Sequence, residues 1–468
     1  MKLSISKTNL SGLQEQRNMK SGLVLPVLLG GLLFALAALI LNCGGAGGDP
    51  PLPRQAHASP PSSYSVTDLG TLPGGTFSSA GYINNNGLIV GSSNDVDGNS
   101  HAVMWVGGQI VDISTPGLGG PNSGAVAIGA NGQAGGFAES SDSDPNSENF
   151  CGFPTGLKCL PFVWQKGAMT ALPLLGGNNG EVNLSNTQGE MVGAAENGTK
   201  DPQCLSTPYP NGVGPQVLDF EAVIWGPNVG QMRQLNPLSG DTMAEGFGIN
   251  NKGQAVGTSG SCADTYPAPF AAGAHAVLWD ADGSVHDLGN LGGTLNPDVA
   301  GLGNIAFAIN DRGQVTGCSS VAPTSGSSVS TAFHGFFWTQ KTGMHDLGTL
   351  PGDVVSCGLN MNGLGDVVGA SLDAPPPTGN PKAVMWQNGQ ITDLNTVVPA
   401  DTTLYLLTAF DINNAGQIVG IGFDPVSNEV HAFLANPIPG GGPAARGASK
   451  RPKLPDGVRH LLQQHELH

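Results

Sequence analysis

The chain has few charged residues and few aromatic ones. Asp, Glu, Lys and Arg make up 11% of its 468 residues, and Phe, Trp and Tyr make up 6%. Solvent-exposed helices normally carry a face rich in charged side chains, so such helices cannot account for much of this chain. Glycine, by contrast, occurs 72 times and proline 35 times, and both destabilise helix interiors. The composition therefore predicts short strands joined by turns.

Positive charge is scarcest in the central part of the chain. Between residues 64 and 436 there are 8 Lys and Arg residues against 31 Asp and Glu residues. This excess of negative charge repels phosphate groups and excludes nucleic acid as a partner, and it suits a solvated surface outside the cell or the binding of cations. Residues 94–99 have the oxygen-rich composition of a calcium loop but lack the downstream glutamate and the helices of an EF-hand. We therefore predict no cofactor, with calcium as the alternative.

Long hydrophobic runs are missing except for one near the N-terminus. Residues 23–41 carry no charge and follow Lys20, a pattern typical of an export signal, and Met19 is the predicted true start. The signal, residues 1–43, ends at Cys43 in a sequence that resembles a bacterial lipoprotein signal, although Asn42 stands where Gly, Ala or Ser is preferred. We expect Cys43 to be lipidated and to anchor the chain at the outer membrane. The alternatives are a plain secretory signal and an uncleaved membrane anchor; all three export the rest of the chain.

Cysteine is also rare. Six cysteines remain besides Cys43, and an even number in an exported protein predicts disulfide bonds. Cys151 and Cys159 flank a short loop of Pro and Gly residues and form the one pair that the spacing predicts. The pairing of the other four stays open. No two cysteines have the C-x-x-C spacing that is typical of zinc sites.

What the chain does have is a repeat. All six tryptophans close a short apolar run, and a seventh run, residues 431–435, lacks only the indole. Each run follows a segment in which two glycines recur four residues apart and an asparagine usually opens the turn, as in Asn84, Gly87 and Gly91. Glycine supplies a positive φ in such a turn, and an asparagine side chain can bond the turn backbone. The tryptophans are Trp105, Trp164, Trp225, Trp279, Trp338 and Trp386.

Each repeat contains four predicted strands, A to D. Strands A and B flank the glycine turn, strand C is the tryptophan run, and strand D follows a tight turn, as in residues 344–347. Units of this size need neighbours to bury their faces. In a β-propeller, each blade is a sheet of four antiparallel strands, and the blades are repeated around a central axis. The sequence therefore predicts an all-β propeller with each tryptophan packed between neighbouring blades.

The two ends of the repeat array complete one another. The seventh unit, residues 404–435, has strands A, B and C but no strand D. The missing strand is found at the other end, in residues 64–70, which match residues 344–348 closely. The sequence therefore predicts a seven-bladed β-propeller over residues 64–437, with four-stranded antiparallel blades and the last blade completed by the N-terminal strand. An open solenoid and a pair of smaller modules are the alternatives.

The composition changes on either side of the predicted propeller. Residues 44–63, between the signal and the first strand, are predicted to be a flexible linker. Residues 438–468 begin with a run of Pro and Gly and carry five Lys and Arg residues. We expect them to form a basic, largely disordered tail.

The repeat resembles the bacterial extracellular repeats known as the HAF family. Residues 431–434 read His-Ala-Phe-Leu, a near-literal copy of the family pattern, and residues 306–317 match its first half. The resemblance spans about residues 64–436 and implies export and a propeller-like β fold. It implies no catalytic residues, because the family offers none that could be transferred to this chain.

Histidines that precede the apolar runs raise the question of a metal ring. They are His101, His275, His334 and His431, but the equivalent positions of other units are Leu160, Glu221 and Lys382. A set of metal ligands would not tolerate such replacements, so we expect a structural role at the strand end. No zinc-protease, nucleophile-elbow or phosphate-loop motif is present, which favours a protein without catalytic activity.

Length variation is concentrated in the loops between strands B and C. In a four-stranded meander these BC loops share one face with the DA loops, and the AB and CD turns lie on the other face. The BC loops at residues 138–160, 194–220, 258–274 and 318–333 are long, and such insertions on a rigid scaffold are typical of binding sites. The candidate binding residues are Phe150, Phe153, Tyr209, Tyr266 and Phe270.

These observations favour an exported, envelope-anchored monomer that binds a protein or a glycan through its long loops and touches the membrane only through its N-terminal lipid or anchor. Two alternatives stay open. The first is an enzyme acting on extracellular polysaccharide, with a site in the central channel where strand A offers Glu181, Glu245 and Asp411. The second is a purely structural envelope protein.

Overall fold

The structure, a computed structural model, describes most of the chain after the predicted signal. The described residues are 63–204, 215–228, 230–262, 275–293, 303–323, 332–375, 378–439, 451–455, 457–459 and 462. The predicted export signal, Cys43 and nearly all of the predicted linker lie outside this part. Within it, no helix is long and apolar enough to cross a membrane.

The described residues form seven antiparallel sheets of four strands, blades 1 to 7. Blade 1 comprises β2 (Ser78–Ile83), β3 (Ile89–Asn94), β4 (Ser100–Val106) and β5 (Gln109–Asp112). Blade 2 comprises β6 (Gly119–Ile128), β7 (Ala134–Ser143), β8 (Leu157–Gln165) and β9 (Ala168–Ala171). Blade 3 comprises β10 (Gly180–Ser185), β11 (Met191–Lys200), β12 (Leu218–Trp225) and β13 (Met232–Leu235).

The remaining four blades follow the same plan. Blade 4 comprises β14 (Met243–Ile249), β15 (Ala255–Gly260), β16 (His275–Trp279) and β17 (Val285–Asp287). Blade 5 comprises β18 (Ile305–Ile309), β19 (Val315–Ser320), β20 (Phe333–Thr339) and β21 (Gly343–Asp346). Blade 6 comprises β22 (Val355–Met361), β23 (Val367–Leu372), β24 (Pro381–Gln387) and β25 (Gln390–Asp393), followed by a 3₁₀ turn (Leu394–Thr396). Blade 7 comprises β26 (Tyr405–Ile412), β27 (Ile418–Asp424), β28 (Glu429–Pro437) and β1 (Tyr64–Asp68).

The ring is closed by the N-terminal strand. Strand β1 pairs antiparallel with β28, with Tyr64 opposite Pro437 and Asp68 opposite Phe433. Each blade packs on the next around the ring, and blade 1 packs on blade 7 through β2 and β27. The A strands of neighbouring blades contact one another, so strand A is the innermost strand of each blade. The predicted seven-bladed propeller and its closure are confirmed, and the open solenoid is excluded.

The asparagine and the first glycine of each A–B turn have separate tasks. The seven first glycines all have φ between 73° and 92°, a conformation that other residues adopt only with strain. The asparagine Oδ1 accepts hydrogen bonds from two backbone N–H groups of its own turn, as Asn250 does from Lys252 and Gln254. In blades 1, 3, 4, 5 and 7 its Nδ2 also donates to a carbonyl oxygen of the next blade, as Asn250 does to Asn310 at 3.1 Å. Blade 2 has Gly129 in place of the asparagine.

The second glycine is required by a β-bulge. In all seven blades the pairing of strands A and B shifts by one residue at the same position. In blade 1 the bulged residue is Gly81. The bulge brings the carbonyl oxygen of Ser79 so close to Gly91 that a Cβ on Gly91 would overlap it, and the same overlap recurs at the equivalent glycine of every blade. The spacing of four residues between the glycines therefore follows from one turn and one bulge.

The tryptophans pack between blades, as predicted. Each indole lies against the preceding blade in an apolar cluster, such as that of Trp279 with Val192 and Ile224 of blade 3. The indole N–H groups of Trp105 and Trp279 donate to carbonyl oxygens just beyond strand D of the preceding blade, at 2.9 and 2.7 Å. A buried indole so bonded stabilises the contact between blades.

Three disulfides connect six cysteines. Cys151, in the BC loop of blade 2, is joined to Cys159 near the start of β8. Cys204–Cys262 joins the loops that follow strand B in blades 3 and 4, and Cys318–Cys357 joins β19 of blade 5 to β22 of blade 6. Disulfides persist in oxidising compartments, so the three bonds point to an extracytoplasmic protein.

Part of the predicted disordered tail packs on the propeller. The guanidinium group of Arg451 contacts Asp353 at 2.8 Å and Asp373 at 2.7 Å. Leu454 and Val458 are buried in an apolar cluster with Phe77 and other residues of blades 7 and 1. The expectation of disorder came from the basic, Pro- and Gly-rich composition. It fails for residues 451–455 and 457–459 because their apolar and basic side chains find partners that are distant in sequence.

We expect Gly91→Ala to destabilise the propeller by about 1–3 kcal/mol, because its Cβ must displace the carbonyl group of Ser79. Gly81→Ala is the matched control in the same blade, since the nearest atoms to its Cβ would be 3.9 Å away. The measurement is the free energy of unfolding from urea denaturation. Equal unfolding midpoints for the two variants would contradict the role given to the bulge.

Arg451→Gln leaves the buried carboxylate of Asp353 without its cationic partner. We expect it to reduce the free energy of unfolding by about 3 kcal/mol, the cost of breaking a buried ion pair. Lys453→Gln is the control, because Lys453 lies in the same segment and is exposed. Urea denaturation of both variants tests the docking of the tail, and a wild-type midpoint for Arg451→Gln would refute it.

Candidate functional site: the loop face of blades 2 to 4

The BC and DA loops lie on one face of the propeller because all blades are antiparallel meanders. The described parts of the long loops of blades 2, 3 and 4 are adjacent there, and we call this region the loop face. Of the predicted binding residues, Phe150 is 7% exposed and packs edge-on against Phe220 of blade 3. Phe153 is half-buried and contacts Phe137 at a centroid distance of 6.2 Å. Tyr209, Tyr266 and Phe270 lie outside the described residues.

Phe150 and Phe153 therefore differ in how accessible their rings are to a ligand. Phe150 belongs to the apolar layer beneath the loops, together with the Cys151–Cys159 disulfide. It supports the loops rather than presenting a ring on their surface. Phe153 keeps part of its ring exposed and remains a candidate for contact with a ligand.

Glu148 connects the loop of blade 2 to blade 3. Its Oε1 accepts hydrogen bonds from the backbone N–H groups of Val217 and Leu218, at 2.7 and 2.8 Å. Its Oε2 accepts one from Asn146 at 3.0 Å. The side chain is fully buried, and a buried carboxylate with this many donors holds the two segments in one arrangement.

Glu196 forms a second buried centre in blade 3. Its two carboxylate oxygens accept hydrogen bonds from the backbone of Asn178, from the backbone and side chain of Asn179, and from Gln216. Burial, and the nearby charge of Glu148, raise the pKa of Glu196 to about 8. Asn179 also donates to Asp144 at 3.0 Å, so the loop of blade 2 and the D–A connection before blade 3 share one polar network.

Three further carboxylates lie where the loop of blade 3 meets blade 4. Asp219 and Glu221 are two residues apart on β12, so their side chains share a face of the strand. Burial, together with contact with Asp201, raises the pKa of Asp219 to about 7. Burial also raises the pKa of Glu221 to about 7. The adjacent Cys204–Cys262 disulfide fixes this loop to blade 4.

The repeated histidines form hydrogen-bonded pairs with aspartates at the blade edges. His101, His275, His334 and His431 lie 2.8–3.1 Å from the aspartate of strand D in their own blade. In blade 6 Lys382 takes the place of the histidine, 3.8 Å from Asp393. These pairs connect strands C and D, which fits the structural role that the sequence predicts.

The surroundings of His101 resemble a Ser–His–Asp catalytic triad but have a different pattern of hydrogen bonds. His101 Nδ1 lies 2.9 Å from Ser114 Oγ, and its Nε2 lies 3.2 Å from Asp95. Ser114 Oγ, however, donates to Asp112 at 2.6 Å. The hydroxyl proton of Ser114 is therefore directed to Asp112 and not to the imidazole. The hydrogen bond with Asp112 also raises the pKa of His101.

The central channel is lined by the seven bulged residues and by an acidic pair. The bulged residues are partly exposed, and most are apolar; Phe247 and Phe307 lie 5.1 Å apart. Above them the side chains of Glu181 and Glu245 are in hydrogen-bond contact, and burial, followed by the charge of Glu245, raises the pKa of Glu181 well above its usual range. The bulged residues are Gly81, Val126, Asn183, Phe247, Phe307, Leu359 and Phe410.

This channel geometry differs from that of a glycosidase. The two carboxyl groups of such enzymes stand roughly 5 to 9.5 Å apart, with substrate or water between them, whereas Glu181 and Glu245 contact one another. The third acid that the sequence places on strand A, Asp411, accepts backbone hydrogen bonds from Ile83 and Ile412 at 2.9 and 2.8 Å. The channel acids therefore support the wall rather than a polysaccharide-cleaving pair.

No family model and no curated relative matches the chain. Among solved structures it is similar to a puromycin hydrolase (13% identity, TM-score 0.42, 80% of this chain and 56% of that one). It is also similar to a Porphyromonas gingivalis dipeptidyl peptidase 4 (10%, 0.34, 73% and 49%) and to a six-bladed Aleuria aurantia lectin (10%, 0.29, 83% and 99%). The chain spans about half of the two enzymes, and similarities this low carry no inference about activity.

We expect Glu181→Gln to reduce the pH dependence of stability. The folded-state pKa of Glu181 is raised above 4.5, so its stabilising contribution is complete below that pH and is lost as the pH rises through the raised value. The wild-type melting temperature should fall as the pH rises above 4.5 towards the raised pKa of Glu181, and the melting temperature of the variant should fall less. Asp282→Asn is the control, because Asp282 is exposed and its pKa is lowered. Parallel curves for wild type and Glu181→Gln would contradict the buried pair.

Proposed function

We propose that the chain is an exported, non-catalytic β-propeller that binds an extracellular protein or glycan through the loop face of blades 2 to 4. The observation that carries this proposal is the way in which the long loops are held. Buried carboxylates connect blades 2 and 3, and the Cys204–Cys262 disulfide connects blades 3 and 4. Loops ordered before binding lose less conformational entropy when a ligand arrives, which favours recognition.

The chemistry of the loop face supports binding rather than catalysis. Glu139, Glu148 and Glu196 accept hydrogen bonds from amide or hydroxyl groups that hold the loops. The carboxyl oxygens of these groups are already used by hydrogen bonds within the fold, so they are poorly placed to act as acids or bases on a substrate. The opposite face consists of short A–B and C–D turns, in which residues such as Gln109 and Gln165 are exposed.

Export and anchoring complete the proposal. The three disulfides require an oxidising compartment, and the resemblance to HAF repeats implies export. We propose that a lipid on Cys43 anchors a monomer at the outer membrane, with the propeller at the end of the linker.

The binding face can be tested with two variants of equal charge change. Ser141→Arg/Gln203→Arg places two large cationic side chains at exposed positions beside the loops of blades 2 and 3. Gln109→Arg/Gln165→Arg places two on the opposite face. The protein without its predicted export signal is applied to a glycan array and to a pull-down from envelope extract, with circular dichroism as the check of folding. We expect the loop-face variant to lose the bound ligand and the opposite-face variant to keep it.

Retention of the ligand by the loop-face variant would reject the proposed face. Loss with the opposite-face variant alone would move the site to the turns. If a folded wild-type protein captured nothing from either source, the structural role would be favoured, and turnover of polysaccharide at the central channel would be the next assay.

A further inference from the structure

The described residues of the C-terminal tail bury one apolar face against the propeller. Leu454, Val458 and Leu462 are 2%, 7% and 5% exposed. The backbone N–H of Arg459 donates to the carbonyl oxygen of Pro455 at 3.0 Å, which is the hydrogen bond of an α-helical turn. The three apolar residues follow one another at intervals of four, so a helix places them on one face. The tail therefore docks as an amphipathic segment.

The surface that receives the tail is formed by blades 6, 7 and 1, and we call it the tail groove. Its floor lies towards the strand ends that carry the BC and DA loops, on the same side of the propeller as the loop face but on other blades. Asp353, just before β22, and Asp373, just after β23, stand at the blade 6 end of the groove. The floor residues are Phe77, Tyr405, Leu407, Ile421, Phe423 and Val430.

The charges of the tail and of the groove are complementary. The guanidinium of Arg451 contacts Asp353 at 2.8 Å and Asp373 at 2.7 Å. The side chain of Asp353 is only 3% exposed, so a cationic partner is needed to offset the burial of its carboxylate. Further along the tail, Arg459 donates to the carbonyl oxygen of Thr378 at 3.0 Å. The groove thus combines an apolar floor with an arginine pocket.

The tail resembles a bound peptide more than an element of the fold. All seven blades have their four strands without any contribution from the tail, so the groove exists independently of its occupant. A helix that places one apolar face in a groove is a common mode of recognition between proteins. A segment joined to its own binding site competes with ligands in solution, because its effective concentration is high.

We propose that the tail groove binds a basic amphipathic helix of a partner protein, and that the tail occupies the groove until this helix displaces it. The helix carries an arginine for Asp353 and Asp373, followed by apolar side chains three, seven and eleven residues further on. The negative charge of the propeller favours the approach of such a segment. This interaction is additional to the ligand proposed for the loop face of blades 2 to 4 and does not depend on it.

The test measures the binding of two fluorescent peptides by fluorescence anisotropy. The first peptide has the sequence of residues 449–463. The second keeps only the arginine, the valine and the two leucines that occupy the groove, at the same spacing, and has alanine or glutamine elsewhere. The receptors are the wild type and the variant Arg451→Gln/Leu454→Asp, both without the predicted export signal, and circular dichroism checks their folding. The substitutions release the tail and leave the groove unchanged.

We expect both peptides to bind the variant, and to bind the wild type at least about tenfold more weakly because the tethered tail competes with them. Lys453→Gln is the matched control, since Lys453 is exposed and its loss should leave the tail docked and peptide binding as weak as in the wild type. Asp353→Asn, added to the released variant, should weaken binding at least about tenfold. If the double variant does not fold, Leu454→Asp alone releases the apolar face.

Three results would overturn the proposal. Failure of the first peptide to bind a folded released variant would remove the groove as a binding site. Equal binding to the wild type and to the released variant would show that the tail does not occupy the groove. Binding of the first peptide but not of the second, or dimers of the wild type in sedimentation, would make the tail itself, in the same or a second copy, the occupant instead of a partner.

Discussion

The hydrogen bond from a turn asparagine to the next blade is the contact on which the ring depends. Apolar faces between blades attract without direction, whereas this bond fixes the position of one turn against the next. It is present from blades 1, 3, 4, 5 and 7 to the blade that follows. Blade 2 has Gly129 at this position and no side chain to donate. Its junction with blade 3 carries instead the bonds of Asp144 and Glu148 on the opposite face.

The parts of the fold that follow from local chemistry could be predicted from the sequence. A glycine at positive φ recurs in all seven units, and an asparagine that bonds its own turn and a tryptophan at the end of strand C each recur in six, all in register, so blade number and ring closure follow. Two features depend on contacts between distant residues and could not be predicted. One is the forward bond of the asparagine, and the other is the docking of Arg451 on Asp353, which are 98 residues apart.

The sequence predicts where the loop face lies but not which contacts hold its loops. Loop length alone indicates which face varies, because strand direction in a meander fixes where each loop emerges. The sequence could not show that Phe150 points down onto Phe220, since an aromatic side chain in a loop can pack inward or outward. The acids that hold the loops are spread from Glu139 to Glu221 in sequence, and only the adjacency of blades 2 and 3 brings them together. The sequence shows that acidic residues are in excess, but it does not show which of them lie close together.

The acidic residues of the loop face fall into two classes according to their hydrogen bonds. Carboxylates such as Glu148 and Glu196 are buried with donors, so their desolvation is offset by hydrogen bonds and the loops become rigid as a result. Asp219 and Glu221 are slightly more exposed, at 8% and 7%, and each keeps one buried oxygen without a hydrogen-bond partner. The same acidic composition therefore satisfies both oxygens of each carboxylate at one junction and only part of them at the next. At the second junction burial is not fully offset by hydrogen bonds, and it raises the pKa of Asp219 and of Glu221 to about 7.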